Sequence, residues 1–291
     1  MRSFILGTDW GEDCDDAVAV RVLARYAKAG KINLCAIGIN THTVYSAPSL
    51  YAFLEKEGVS TLIGVDKNCP EKNFVNNYQP RLAECTDKKD EDFEDAIRVY
   101  RRAIVNAEDK VEIMEIGFLQ VLAGVLESQG DDISPKTGIE LFKEKVSKVW
   151  IMGGTWNVDG GKEYNFSGKK FACRASSIVC KLCPSPITFL GWEIGDDVIT
   201  GDKLEKDDYL YYALSDHGFP NGRSSWDPML VLLALIGDEE KAGYNTVRGK
   251  ARVCARTGKN YFKKGPRGKH KYVIKAQENS YYSNLINEII K

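Results

Sequence analysis

The sequence predicts an α/β protein, a single large domain whose mainly parallel central sheet is flanked by helices. Two observations carry this. Short apolar runs rich in Val, Ile and Leu alternate with longer amphipathic stretches along most of the chain, which is the pattern of strands joined by crossover helices. The chain has 291 residues, of which 43% are hydrophobic and 28% charged. A chain of this size buries about three-quarters of its extended surface, so no disulfide or metal is needed merely to hold it together.

Taken in order, the first strand is predicted over 4–7 (FILG). It runs into Thr8 and Asp9, Gly11 permits a tight turn, and a helix over 16–29 begins with Ala17, Val18, Ala19 and Val20. A strand over 34–39 leads through NTHTVYSAP to a helix over 47–56, where Leu50, Tyr51, Phe53 and Leu54 share one face. A strand over 61–65 follows, then a helix over 93–107, a strand over 111–116 and a helix over 120–127. Strands over 149–152 and 187–190 enclose a helix over 169–182, and helices over 227–235 and 280–290 come late in the chain. Residues 241–275 hold twelve Lys and Arg and no Asp or Glu, with Gly and Pro at the breaks. They read as a β-rich, solvated part of the same domain, which spans 1–291. Residues 84–95 (ECTDKKDEDFED) are strongly acidic. In parallel sheets of this kind ligands sit beyond the carboxyl ends of the strands, so the chemistry is expected in the loops after Gly7, Ile39, Gly117 and Met152.

Charge and composition exclude several classes. Forty basic side chains balance 41 acidic ones, a net charge of -1, which argues against a surface built to grip nucleic acid. No run approaches the ~18 apolar residues of a membrane helix, and the first residues, MRSFILGTDW, lack the apolar core and cleavage site of a signal peptide. A cytoplasmic protein is the expectation. Eight cysteines in a chain this long read as reduced thiols. Cys180 and Cys183 form one CxxC, but a zinc site usually needs a second pair or histidines, so they read as one side of a helix end before Pro184.

The most informative phrase is FILGTDWGEDCDDAVAV, which places Asp9, Asp13, Asp15 and Asp16 at a strand end and a helix start. Such a cluster repels itself unless something positive joins it. A helix N-terminus offers about half a unit charge, and N-capping needs one Asp. A hard divalent cation with oxygen ligands satisfies the arrangement best. The spacing is not that of an EF-hand, which wants Gly at the sixth position of its loop and Glu at the twelfth. An aspartyl-phosphate phosphatase would want a second Asp where Gly11 stands.

These residues resemble the opening of the inosine-uridine nucleoside hydrolase family, Asp-x-Gly-x-Asp-Asp-Ala, with two extra residues after Gly11. The resemblance continues in order through VEIMEIGFLQVLAGVL, KVWIMGGTWNVDGGKEYNF, ITFLGWEIGDDVITG and GRSSWDPMLVLLALIG. It implies a nucleoside hydrolase-like fold and a Ca²⁺-dependent N-ribohydrolase that cleaves a nucleoside to base and ribose. Asp9 would be metal ligand and general base, Asp16 and Asp227 further ligands, and the main-chain carbonyl at Gln120 another. Asp15, Glu163 and Asn165 would bind the sugar, and Asn157 its 5′-hydroxyl. Many members place a His before the late Asp as leaving-group acid. Here that position is Trp226, which can stack on a base but cannot donate a proton as an acid. This motivates a second reading, a nucleoside- or ribose-binding protein of the same fold with little turnover. Asp13, His42 and His217 are additional candidates. The resemblance also implies a homo-oligomer, a dimer or tetramer, with a small-molecule nucleoside as partner and neither nucleic acid nor membrane.

Overall fold

The computed structural model describes residues 1–70 and 77–291. Every residue of β1 (Ser3–Thr8) is buried, as expected of a central strand covered by helices on both faces. Phe4 and Leu6 enter one hydrophobic core and Ile5 the other, the two-residue period of a strand made visible. The remaining strands are β2 (Asn33–Ile39), β3 (Leu62–Val65), β4 (Glu94–Asp95), β5 (Val111–Glu115), β6 (Val146–Met152), β7 (Ile187–Leu190), β8 (Ile199–Thr200), β9 (Arg223–Ser224), β10 (Tyr244–Val253), β11 (Asn260–Lys264) and β12 (His270–Lys275). The helices are α1 (Asp15–Lys28), α2 (Ser46–Glu57), α3 (Gln79–Ala83), α4 (Ala96–Asn106), α5 (Gln120–Glu127), α6 (Gly138–Lys145), α7 (Tyr164–Ser167), α8 (Lys170–Leu182), α9 (Trp192–Gly195), α10 (Tyr209–Asp216), α11 (Trp226–Ile236) and α12 (Asn279–Ile290).

The main sheet has ten strands in the order β11-β10-β12-β7-β6-β5-β1-β2-β3-β4. It is parallel from β12 to β4, and β10 pairs antiparallel with both β12 and β11. One face is covered by α1, α2, α10, α11 and α12, through residues such as Val18, Leu50, Leu210, Leu230 and Ile286. The other is covered by α4, α5, α6 and α8, through Tyr100, Leu122, Phe142 and Val179. The fold class predicted from the sequence is the one observed. The basic stretch 241–275 forms the antiparallel end of the sheet, and Lys263 and Lys264 lie on its edge strand, where charged side chains discourage pairing with another chain.

The segment expected to be helical from 93 begins as β4, which adds to β3 before α4 starts at Ala96. Asp95 supplies the break, accepting the backbone N–H of Ile97 and Arg98 as an N-cap. Cys180 and Cys183 are not joined in a disulfide, and burial pushes both thiols up to about 12, as inert structural thiols should be. Among the described residues no helix is long and apolar enough to cross a membrane.

Candidate active site and metal centre

The strand order reverses between β1 and β5, and at the carboxyl ends of these strands lies an open cleft of about 440 Å³. This is the topological switch point, where open α/β sheets bind their ligands. β1 delivers Asp9 there. Gly11, with φ +100, turns the chain back, and the Glu12 N–H closes the turn on the Asp9 carbonyl at 2.9 Å. The chain then enters α1, whose first turn carries Asp15 and Asp16, both buried. Thr8 Oγ1 donates to Asp16 Oδ1, which fixes that carboxylate beneath the cleft.

Asp227 comes from the other end of the chain. It sits in the first turn of α11, an apolar helix packed on α1, and its backbone N–H donates to Asp15 Oδ2 at 3.1 Å. One carboxylate oxygen from each of Asp9, Asp16 and Asp227 lies within 4.8 Å of the others. All three carboxyls are pushed well above the usual range, first by burial and then by neighbouring carboxylates: Glu12, Asp13 and Asp15 for Asp9, Asp9 and Asp15 for Asp16, and Asp15, Asp16 and Asp9 for Asp227. Burial and Asp13 push Asp15 up to about 8. Among the described residues no Lys or Arg forms an ion pair with the three converging carboxylates, and Asp16 Oδ2 is buried without a partner. Three buried oxygen donors, mutually repelling and incompletely satisfied, fit a hard divalent cation.

Around this group the cleft has two characters. Glu163 and Asn165, from the start of α7, form part of one wall with Asp15. Glu163 caps that helix: its carboxylate accepts the N–H of Asn165 at 2.6 Å and of Gly154 at 2.8 Å, while burial pushes it up to about 7. The Asn165 amide donates to the carbonyls of Met152 and Ile116. Another wall is aromatic. Trp226 stacks on Trp192 with ring centroids 6.5 Å apart and donates its indole N–H to the Trp192 carbonyl at 2.7 Å. Phe219, His217 and Arg223 complete that side.

The structure thus gathers Asp9, Asp15, Asp16, Asp227, Glu163, Asn165, Trp226 and His217 at or beneath one cleft. It does not bring the other candidates there in the expected way. His42 bonds Asp90 at 3.1 Å, toward the acidic 84–95 segment. Asn157 is exposed and lies outside the cleft lining; Glu193 binds the Trp156 N–H at 3.0 Å and the backbone of Asn157, and this fixes the turn. Asp13 reaches the cleft but not the three converging carboxylates. Its carboxylate is forked by Arg223, and burial, which alone would raise its pKa, is outweighed by that guanidinium. The Gln120 side-chain N–H group donates to the Asn40 carbonyl and the Asp66 carboxylate, while its Oε1 has no partner among the described residues; the resemblance assigned the ligand role to its main-chain carbonyl. His217 lies 3.8 Å from Asp13, and burial lowers its pKa.

Sequence reasoning missed Trp192, Arg223, Glu12 and Asn40. Asn40 directly follows β2; its N–H pairs with the Thr8 carbonyl at 2.9 Å, and among the described residues neither polar atom of its buried amide has a partner. An unpaired buried amide is costly, as is the unpartnered Asp16 oxygen. A polar residue at the carboxyl end of a strand beside β1 was the available signal.

No protein-family profile matches the chain, and no curated protein matches it. Solved structures do. An inosine-uridine preferring nucleoside hydrolase from Bacillus anthracis superposes with a TM-score of 0.70 at 14% identity, covering 100% of this chain and 99% of that one. An inosine-guanosine nucleoside hydrolase gives a TM-score of 0.70 at 14% identity, again over 100% and 99% of the two chains. The type III effector protein XopQ, solved in complex with adenosine diphosphate ribose, gives 0.71 at 13% identity over 100% and 93%. Identity this low speaks to architecture alone, and on that ground the chain has the nucleoside hydrolase fold.

Proposed function

We propose that this chain is a calcium-dependent nucleoside N-ribohydrolase, releasing a free base and ribose. The observation that carries the reading is the convergence of Asp9, Asp16 and Asp227 at a cleft walled on one side by the polar groups of Asp15, Glu163 and Asn165 and on another by stacked indoles. Cleavage of a glycosidic bond passes through an oxocarbenium-like state, and the carboxylates around the cleft stabilise its positive charge. Asp9, Asp16 and Asp227, with the Gln120 carbonyl, would hold the cation. When bound, a divalent ion would make a nearby water more acidic. Asp9 accepts the proton of the attacking water. Asp15, Glu163 and Asn165 hold the sugar hydroxyls, which restricts the ring to the attack geometry. Trp226 and Trp192 offer flat apolar faces on which a base stacks.

A second reading rests on one specific residue. Trp226 stands immediately before Asp227, and an indole provides no acidic proton for the leaving base, so a binding protein with little turnover fits the same cleft. One experiment separates the two. Purine and pyrimidine nucleosides are incubated with the protein in calcium and in chelator, and reducing sugar is measured beside equilibrium binding. The hydrolase reading expects sugar release that chelator abolishes. Binding without release selects the second reading, and neither binding nor release from any nucleoside rejects both.

A further inference from the structure

The two residues that lengthen the first loop bring Asp13 into reach of β9. There Arg223 Nε donates to Asp13 Oδ1 at 3.0 Å and Nη2 to Oδ2 at 2.6 Å, a fork that fixes the plane of the guanidinium as well as its position. The guanidinium also lies close to two rings. The guanidinium carbon is 4.3 Å from the centroid of Phe219 and 5.0 Å from that of Trp226, within the range of a cation–π contact. Trp226 is then held at three points: the cation against its ring, the indole N–H on the Trp192 carbonyl, and the stack on Trp192. Arg223 is itself anchored by the backbone pairing of β9 with β8, where Arg223 lies opposite Thr200. The loop after β1 is thereby tied to the entry of α11, the two segments that also carry Asp9 and Asp227.

We propose that Asp13 and Arg223 are positioning residues that lock the indole of Trp226 in the orientation from which it stacks on the base. This deepens the nucleoside reading and rests on it for the identity of the stacked group, but the ring orientation is testable without turnover. The cation itself is largely spent on Asp13, so its action runs through the indole.

The test uses the full chain labelled with 5-fluorotryptophan, with the Trp226 resonance assigned by its loss in Trp226→Phe. The chain has five tryptophans, and buried Trp10, Trp150 and Trp156 report an intact fold. Arg223→Met and Asp13→Asn are each expected to shift the Trp226 resonance while those three hold. In hydrolysis of a purine nucleoside, each variant raises KM more than it lowers kcat, with a loss in kcat/KM on the order of ten- to a hundredfold. The double variant is expected to lose no more than the worse single one, because either change breaks the same fork. Arg223→Lys keeps the charge and loses the fork, so it shifts the resonance too; it serves as the folded variant if Arg223→Met collapses. A Trp226 resonance unmoved in the folded variants overturns the proposal, as do losses that multiply in the double variant. Absence of hydrolysis by the wild type would reject the enzyme reading and leave the ring measurement standing.

Discussion

Asp9 meets two requirements at once. It is close enough to Asp16 and Asp227 to share an ion with them, yet it lines the cleft, whereas Asp16 lies wholly beneath it. A carboxylate in that position can both bind a cation and take a proton from water on the cleft side. Asp9→Asn keeps the volume and removes the base, so turnover is expected to fall by roughly 10²–10⁴ with the circular dichroism spectrum unchanged; a fully active variant would remove Asp9 from the role. Glu115 makes a contrasting case. It is buried on β5 and accepts the Tyr100 hydroxyl at 2.9 Å, and its other oxygen has no partner among the described residues. Burial pushes it up to about 8, against about 4.3 in an unfolded chain. Between those values the folded protein binds the extra proton, so stability falls as pH rises through this window, and the loss is complete above it. Glu115→Gln resembles the protonated form. It should match the wild type in denaturant midpoint near pH ~4 and exceed it near pH ~9. Parallel curves for the two proteins would show that Glu115 ionises freely.

The same Glu115 belongs to a row that explains how α4 is seated. Across the sheet, Glu115 lies opposite Gly7, Gly7 opposite Gly38, and Gly38 opposite Gly64. Three adjacent strands thus lack a side chain at one level, and α4 fills the trough: a Cβ on Gly38 would stand 2.9 Å from the Tyr100 ring, and one on Gly64 2.7 Å from the Ala96 backbone. Gly38→Val is therefore expected to destabilise the fold by about 1–3 kcal/mol through overpacking, read as a lower midpoint in urea at unchanged slope. An unchanged midpoint would show that α4 can lift without cost. Much of the element order was legible because apolar runs and helical faces are local signals, and α5 falls on the 120–127 span expected for it. The short helices α7 and α9 escaped because one turn leaves no periodicity to read. The site divides in the same way. Acidic residues at a strand end and a helix start mark a candidate cation site by their repulsion alone. That Arg223 and Trp192 line the same cleft depends on how β9 and α9 pack, and Asn157 was misplaced because Glu193 folds its loop by contacts distant in sequence.

At the scale of the whole chain, the candidate metal centre joins what folding must bring together from afar. Asp9 and Asp16 come from the first strand and helix, and Asp227 from a helix near the other end. The helices α1 and α11 are apolar enough to pack without an ion, yet packing them drives buried carboxylates into one another. The protein without calcium therefore carries a repulsive term at its switch point, partly relieved by proton uptake, since all three carboxyls are raised. An ion bound only by the folded state removes that term and stabilises by mass action, about 2.7 kcal/mol at a concentration 100 times its dissociation constant. The thermal midpoint in calcium is thus expected to exceed that in chelator by several degrees, and the gap should widen as calcium is added. Asp227→Ala provides the control that separates this from a general salt effect. It deletes one ligand and one repelling charge together, so its midpoint in chelator should not fall as far as truncation of a buried residue ordinarily implies, while its response to calcium should be lost. A wild-type midpoint indifferent to calcium, or an Asp227→Ala protein that responds as the wild type does, would mean that these carboxylates converge without holding an ion. The water-activating role assigned to the cleft would then fall with it.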